Sequence, residues 1–496
     1  MRSVLRAATV VAVVAAMVGA ATLAGAFATT PTPAAAPSAL QDAEPTLNRT
    51  YGGQFADSGS AVVALDDGYA LVGSANRSAR GDAVSDVVVR RVDANGSVTS
   101  TSTVQRPGSQ RPTDAVRTPG GDVVVVGTTG TGDSSDGFAA RLAPDGELVW
   151  YRSYGTPGPD AFNGVVATEG GFAVAGATAG TGGEDSAWLV ALDDDGVQQF
   201  ARTYERRASA ARDIARAGDG YVLAGRLVRS VPGRSADQTQ AWAAGIAPNG
   251  NVRWAREYGT ESANETAAAV ASTPDGYALA GTSTPTDDDD GNEARAWYAG
   301  LAANGMERWT RSYGSRRGAF SDVATTGDDL VLVGTLGARA TADVTVVRAL
   351  TDGTPTQSYV TGAGESVVAR SAVAGNDSVV VAGTLTAGGD SQAWLLGTAA
   401  PGSVTTPTTT TTATPTNATT TATTATTTAT PTTESPSTST ATPTTSTTSA
   451  ATTSTTAPTD TTTAATTTTA DGLPGFTALL AVVALLAAAL LAVRRR

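Results

Sequence analysis

Along residues 46–400 the chain alternates short apolar runs with clusters of Gly, Asp and Asn, and one run keeps returning. It reads Tyr69-Ala-Leu-Val-Gly73, Val123-Val-Val-Val-Gly127, Phe172-Ala-Val-Ala-Gly176, Tyr221-Val-Leu-Ala-Gly225, Tyr277-Ala-Leu-Ala-Gly281, Leu330-Val-Leu-Val-Gly334 and Val379-Val-Val-Ala-Gly383. The seven glycines are 54, 49, 49, 56, 53 and 49 residues apart. No helical period competes, so each run is a strand ending in glycine. Turn chemistry brackets it. Asp67-Gly68, Gly120-Gly121, Gly170-Gly171, Asp219-Gly220 and Asp275-Gly276 precede the run. A third strand follows, then Asn95-Gly96, Asp145-Gly146, Asp195-Gly196, Asn249-Gly250, Asn304-Gly305 or Asp352-Gly353. Asn-Gly and Asp-Gly supply the positive φ that tight hairpins need. Seven units of about 50 residues suit the four-stranded blades of a propeller.

A fourth strand completes each unit, as in Trp150-Tyr-Arg152-Ser-Tyr154-Gly155, Trp254-Ala-Arg256-Glu-Tyr258-Gly259 and Trp309-Thr-Arg311-Ser-Tyr313-Gly314. Trp, Arg and Tyr at i, i+2 and i+4 share one face of the strand. A motif repeated around a whole ring is scaffold, so blade packing is expected, with each Arg head meeting a carboxylate or carbonyl. The last unit stops after its third strand, Ala393-Trp394-Leu395-Leu396, while Leu47-Asn-Arg49-Thr-Tyr51-Gly52 stands before the first unit as a fourth strand without a blade. It should close the ring by completing the seventh blade, which removes two exposed sheet edges. The expected fold is therefore all-β: a seven-bladed β-propeller of four-stranded blades with Velcro closure by an N-terminal strand. A disordered Thr-rich stalk and a C-terminal transmembrane helix follow it. These repeats resemble the PQQ-like, or quinoprotein-like, β-propeller repeat of bacterial and archaeal surface proteins. No residue set here would hold a quinone and its metal, so no cofactor is expected.

Both ends carry targeting signals. Arg2 and Arg6 precede an apolar run and the small-residue sites Ala24-Gly25-Ala26 and Ala26-Phe27-Ala28, which read as a secretory signal peptide over residues 1–28. Residues 29–45 form a linker. Residues 401–472 form a stalk; from Thr405 to Ala470, 39 of 66 residues are Thr, a composition that cannot bury a core. The tail runs Pro474-Gly475-Phe476, then an apolar stretch from Thr477 to Val493, then Arg494, Arg495 and Arg496. Its roughly 18 helical residues would span about 27 Å, enough for a bilayer core, with the arginines on the cytoplasmic side. The order of Pro-Gly-Phe, helix and Arg cluster over residues 473–496 resembles the PGF-CTERM sorting signal of archaeal surface proteins. The resemblance implies an archaeosortase as partner, removal of the helix, and a lipid anchor. The alternative is a plain transmembrane anchor.

Composition narrows the chemistry. The 496 residues include no Cys, His or Lys, so all 33 basic residues are Arg, against 46 Asp and Glu. Disulfides, thiolate metal sites, His-based triads, Schiff bases and P-loop lysines are excluded. The net charge of -13 argues against nucleic acid. Acidic, Lys-free and aromatic-poor, the chain looks like a protein of an extreme halophile, where carboxylates keep a surface hydrated although salt screens charge within about 3 Å.

Candidate chemistry lies on one rim, formed by the loops after the fourth strand and those between second and third strands. Asp287, Asp288, Asp289 and Asp290 could face a cation, although a solvated acidic run explains them as well. Arg206, Arg207, Arg316 and Arg317 are placed to meet an anionic sugar or polymer, or simply to balance acidic surface. Asp160, Asp213, Glu265 and Asp322 lie near the start of inner strands, where a carboxylate pair would suit a glycosidase. Sequons stand at Asn48, Asn76, Asn95, Asn264, Asn376 and Asn417. The function expected is non-enzymatic: a glycosylated binding, adhesion or S-layer-associated head, attached to the membrane and facing a glycan or surface-layer partner. The alternative is a secreted polysaccharide hydrolase or lyase with its carboxylates in the funnel.

Overall fold

The computed structural model describes residues 32–33, 45–78, 84–179, 184–204, 208–230, 237–286, 293–314, 316–337, 342–361, 366–375 and 378–399. Seven sheets of four antiparallel blade strands follow one another along the chain. Blades 1 to 6 cover residues 57–104, 110–154, 160–204, 209–258, 263–313 and 318–361. Within each, chain order runs from the innermost strand to the outermost. Blade 7 consists of Ser366–Ala374, Ser378–Ala387 and Asp390–Ala399, with Leu47–Tyr51 added as its outer strand. Leu47 lies opposite Gly397 and Tyr51 opposite Ala393, so the ring closes as the sequence predicts. Trp394 Nε1 donates to Asn48 Oδ1 across this seam at 2.8 Å. The pair Thr32–Pro33 also lies parallel to Arg311 and Ser312 on the outer edge of blade 5. Among the described residues the only helix is a 3₁₀ turn, Gly132–Ser134, and no helix is long and apolar enough to cross a membrane. The apolar tail from Thr477 lies outside the described residues.

The recurrent glycine has a cause that the repeat pattern alone does not display. Each second strand continues past it, as Gly171–Thr178 continues past Gly176. Opposite each glycine the innermost strand carries one extra residue, a β-bulge, at Ser60, Thr113, Asn163, Arg212, Ala268, Ser321 and Arg370. The bulge presses the inner strand's carbonyl against the second strand. A Cβ at Gly73, Gly127, Gly176, Gly225, Gly281, Gly334 or Gly383 would overlap the carbonyl oxygen of Ser58, Arg111, Ala161, Ala210, Thr266, Ala319 or Val368 respectively. The glycine is thus the mark of a bulge, not of a strand end.

Apolar side chains on both faces of the middle strands pack between neighbouring blades. One such layer joins Leu189 and Ala187 of blade 3 to Leu223, Trp242 and Ile246 of blade 4. The outer strand then reaches across to the next blade. Trp150 Nε1, Arg152 Nε and Tyr154 Oη donate to the carbonyls of Asp194, Asp195 and Gly196, at 3.0, 2.9 and 2.6 Å. Trp254, Arg256 and Tyr258 do the same to Ala303, Asn304 and Gly305. Tyr51 of blade 7 bonds Gly96 of blade 1, so the ring-closing strand uses the same contact. The Trp-Arg-Tyr face is therefore spent on holding blades together, as expected of a motif that recurs around the ring. Burial raises the phenol pKa values of Tyr154, Tyr204 and Tyr258 well above the ordinary range, so they donate at any physiological pH.

Gly176→Ala should overpack the bulge against backbone and cost about 1–3 kcal/mol. Gly170→Ala, in a turn where an added Cβ meets nothing within 4 Å, should change stability by less than about 0.5 kcal/mol. Denaturant midpoints of the two variants test this; equal midpoints would rule out the bulge as the reason for the glycine.

Candidate functional site at the channel mouth

The innermost strands border a central channel, and the bulge sets what faces it. The residue after each extra residue is Ala61, Asp114, Gly164, Asp213, Ala269, Asp322 and Ser371 in blades 1 to 7. Aspartate alternates with a small residue. An inner strand has no neighbour on its channel side, so its outward N–H groups need acceptors. Asp114 Oδ1 accepts from the N–H of Ala115 in its own blade, and Oδ2 from Val165 of the next, at 2.7 and 2.9 Å. Asp213 serves Ile214 and Val270 at 2.7 and 2.8 Å. Asp322 serves Val323 and Ala372, both at 2.7 Å. The seventh N–H, that of Val62, points at Ser371 Oγ at 3.4 Å. Three aspartates bracket six blades in pairs, and a serine meets the blade left over.

The three carboxylates are recessed in the channel and lie within electrostatic reach of one another. Asp114 is pushed up to about 7, first by burial and least by the charge of Asp322, with the two N–H bonds opposing. Asp213 lies well above the carboxylate range because of burial and then the charges of Asp114 and Asp322. Asp322 is raised to about 6 by burial. A raised carboxyl in a cleft is what a general acid requires. Here, however, every oxygen of the three is engaged by a backbone N–H, which is a structural duty.

Of the four acids singled out in the sequence, Asp213 and Asp322 belong to this belt, and Asp114 is its unpredicted third member. Its signal was the spacing of 99 and 109 residues, two repeats each time. The other two stand at the head of the inner strand and secure the preceding loop. Asp160 accepts from Thr156 N–H and Oγ1. Glu265 is fully buried and takes bonds from Thr260 and Ser283, and burial raises it to about 7. Asp57 and Gln110 do the same job in blades 1 and 2, accepting from Gly53 and Arg106. Among the described residues no group of three or more acids is arranged to hold a metal ion.

The predicted rim is real: the loops after fourth strands bond those between second and third strands, as in Asn76 N–H to Ala56, Ala179 to Pro159 and Gly337 to Arg317. Arg316 and Arg317 are exposed on it, between blades 5 and 6. Arg206 and Arg207, and Asp287, Asp288, Asp289 and Asp290, lie outside the described residues. So do Asn376, Asn417, Pro474, Gly475, Phe476, Arg494, Arg495 and Arg496. Asn48 and Asn95 are exposed; the Oδ1 of Asn264 accepts from Thr239 N–H, and Asn76 sits half-buried on the rim.

What the belt leaves uncommitted is cationic. Nine described arginines are ion-paired. Others donate to backbone carbonyls, as Arg91, Arg216 and Arg256 do. Arg111, Arg212 and Arg370, all exposed on inner strands, make no ion pair or side-chain hydrogen bond among the described residues. Arg212 and Arg370 are themselves bulge residues and line a cavity of about 460 Å³ over the aspartates, with Ser60, Thr113, Asn163 and Ser321. Burial and nearby Arg226 lower the Arg212 pKa, with Asp185 opposing, but a guanidinium stays charged.

Comparison with known proteins adds one assignment. Residues 473–495 match the PGF-CTERM motif. That motif implies archaeosortase processing and a surface-anchored chain, one that carries a propeller domain. No curated protein matches the chain. Similar solved structures include polysaccharide lyase Uly1 (11% identity, TM-score 0.46, 70% of this chain and 91% of that one). Others are the β-propeller domain of the Trilobed protease from Pyrococcus furiosus (9%, 0.41, 70% and 94%) and a subtype N10 neuraminidase-like protein of A/little yellow-shouldered bat (10%, 0.38, 72% and 99%). Likenesses at this level carry no argument about function, which rests on the site itself.

The belt predicts an unusual pH dependence. A carboxyl raised in the folded state contributes stability that is present below its unfolded pKa near 4 and is lost as pH rises through its folded value. With values of about 6 and 7, the melting temperature should fall as pH rises from 5 to 8. Glu265 adds to the same window. Asp114→Asn should flatten the slope and, having one acceptor oxygen for two N–H groups, cost about 1–3 kcal/mol throughout. A melting profile that rises over this window would sink the account.

Proposed function

We propose that the chain is a surface-displayed binding head that performs no catalysis. Its contact surface is the channel-mouth face. The observation that carries this reading is the division of labour in the channel. The acids that could have been catalytic are engaged by backbone N–H groups, and the charged groups left free are arginines suited to holding a ligand. The signal peptide, the sequons and the salt-adapted composition fit an exported glycoprotein of a halophile's envelope, associated with its surface layer. The resemblance to PQQ-like repeats concerns the scaffold. A glycan array probed in molar salt with the exported chain should give saturable binding, and incubation with the bound glycans should release no reducing ends and no unsaturated products. Steady release of either would favour the hydrolase or lyase reading.

A further inference from the structure

The central cavity is not isolated. A second hollow of about 560 Å³ shares Ser58, Ser60 and Pro112 with it and extends over blade 1 toward the rim. Both volumes lie in the range of about 300–1,000 Å³ usual for ligand clefts. The second hollow adds Gln54, Phe55, Asn76, Ser85 and Arg111 to the lining. The two form one groove from the channel mouth to the edge of blade 1. Arg212 and Arg370 stand at its inner end and Arg111 at its outer end.

Three features of this groove point to one ligand chemistry. Its walls are hydroxyls and amides, which exchange hydrogen bonds with polyols. Half-buried Phe55 offers a ring against which a sugar face can lie. Its free charges are three guanidinium groups and one carboxylate, that of Asp390 in the second hollow; the guanidinium groups prevail, and their planar donors match carboxylate and sulfate oxygens in pairs. The net charge of -13 would repel any polyanion at long range. At molar salt that repulsion is screened within about 3 Å, while direct bidentate hydrogen bonds persist. Burial raises the pKa values of the aspartates beneath, and backbone N–H groups occupy their oxygens, which lessens their opposition to an anion at the mouth.

We infer that this groove binds an anionic polysaccharide, with acidic groups on Arg212 and Arg370 at the channel mouth and on Arg111 toward the rim, and a sugar ring on Phe55. The inference rests on the binding-head reading and names its ligand class.

The test uses the exported chain in molar salt, with polygalacturonate as the carboxylate probe, dextran sulfate as the sulfate probe, and dextran as the neutral one. At least one acidic probe should bind and dextran should not; which acidic probe wins identifies the acidic group. Arg212→Gln, Arg370→Gln and Arg111→Gln should each weaken that binding about tenfold, the loss of one charge-assisted bond. Phe55→Ala should weaken it several-fold, and Arg253→Gln, on the outer strand of blade 4 and outside the groove, should leave it unchanged. All four groove side chains are at least partly exposed, so unchanged melting temperatures will confirm folding. Acidic probes that bind the triple Arg variant as tightly as the unaltered chain would overturn the site. Equal binding of dextran would overturn the anionic selectivity while leaving the binding head intact. Tighter binding of a DNA oligonucleotide would overturn the glycan assignment. If no probe and no arrayed glycan binds, the binding-head reading itself fails.

Discussion

The ring depends on a hydrogen bond that a sheet cannot make for itself. Each blade presents its innermost strand to the channel without a further strand beside it, and the bulge turns one N–H of that strand inward. Left bare and recessed, each such group would cost about 1–3 kcal/mol. The chain answers with aspartates in alternate blades, and each reaches both its own blade and the next. A carboxylate has two oxygens and a bracketed pair has two donors, so the match is one of valence. It also explains the small partners Ala61, Gly164, Ala269 and Ser371. A second ring of long acids would crowd the channel and add to a repulsion that already raises the belt's pKa values.

The same bulge links scaffold to surface. The inserted residue is unpaired in the ladder, so its side chain is free to vary. In Thr113 and Asn163 it bonds the next blade, donating to the carbonyls of Phe162 and Ala211. In Arg212 and Arg370 it carries charge to the mouth. One backbone device thus produces both the conserved geometry of seven repeats and the irregular lining that distinguishes one side of the channel from another.

Much of the fold was legible in the sequence, and for physical reasons. Glycine at seven bulges, Asn-Gly and Asp-Gly turns, and the stray strand at Leu47 are local signals that backbone geometry enforces wherever they occur. The candidate site was less legible. Asp213 and Asp322 attracted notice as acids, but their duty depends on Asp114 and on N–H groups 57 and 50 residues away in the next blade. The paired Arg316 and Arg317 were conspicuous in sequence, whereas Arg111, Arg212 and Arg370 are single residues that look alike until the structure shows that they form no ion pair among the described residues. Pairing is a three-dimensional property, and composition cannot reveal which charges go unmatched.

Seven is odd, and brackets that join blades in twos cannot tile an odd ring. Blade 1 is the blade left without a bracket, and in place of a carboxylate its Val62 N–H meets Ser371 of blade 7. The chain's route to its anchor leaves from blade 7, through Asp390–Ala399. That strand is flanked on both sides, by Ser378–Ala387 and by Leu47–Tyr51. A tug on the tether therefore shears two ladders of hydrogen bonds at once instead of peeling one open from its end. The strand that leads to the tether is thus one gripped from both sides, in the blade that also closes the ring.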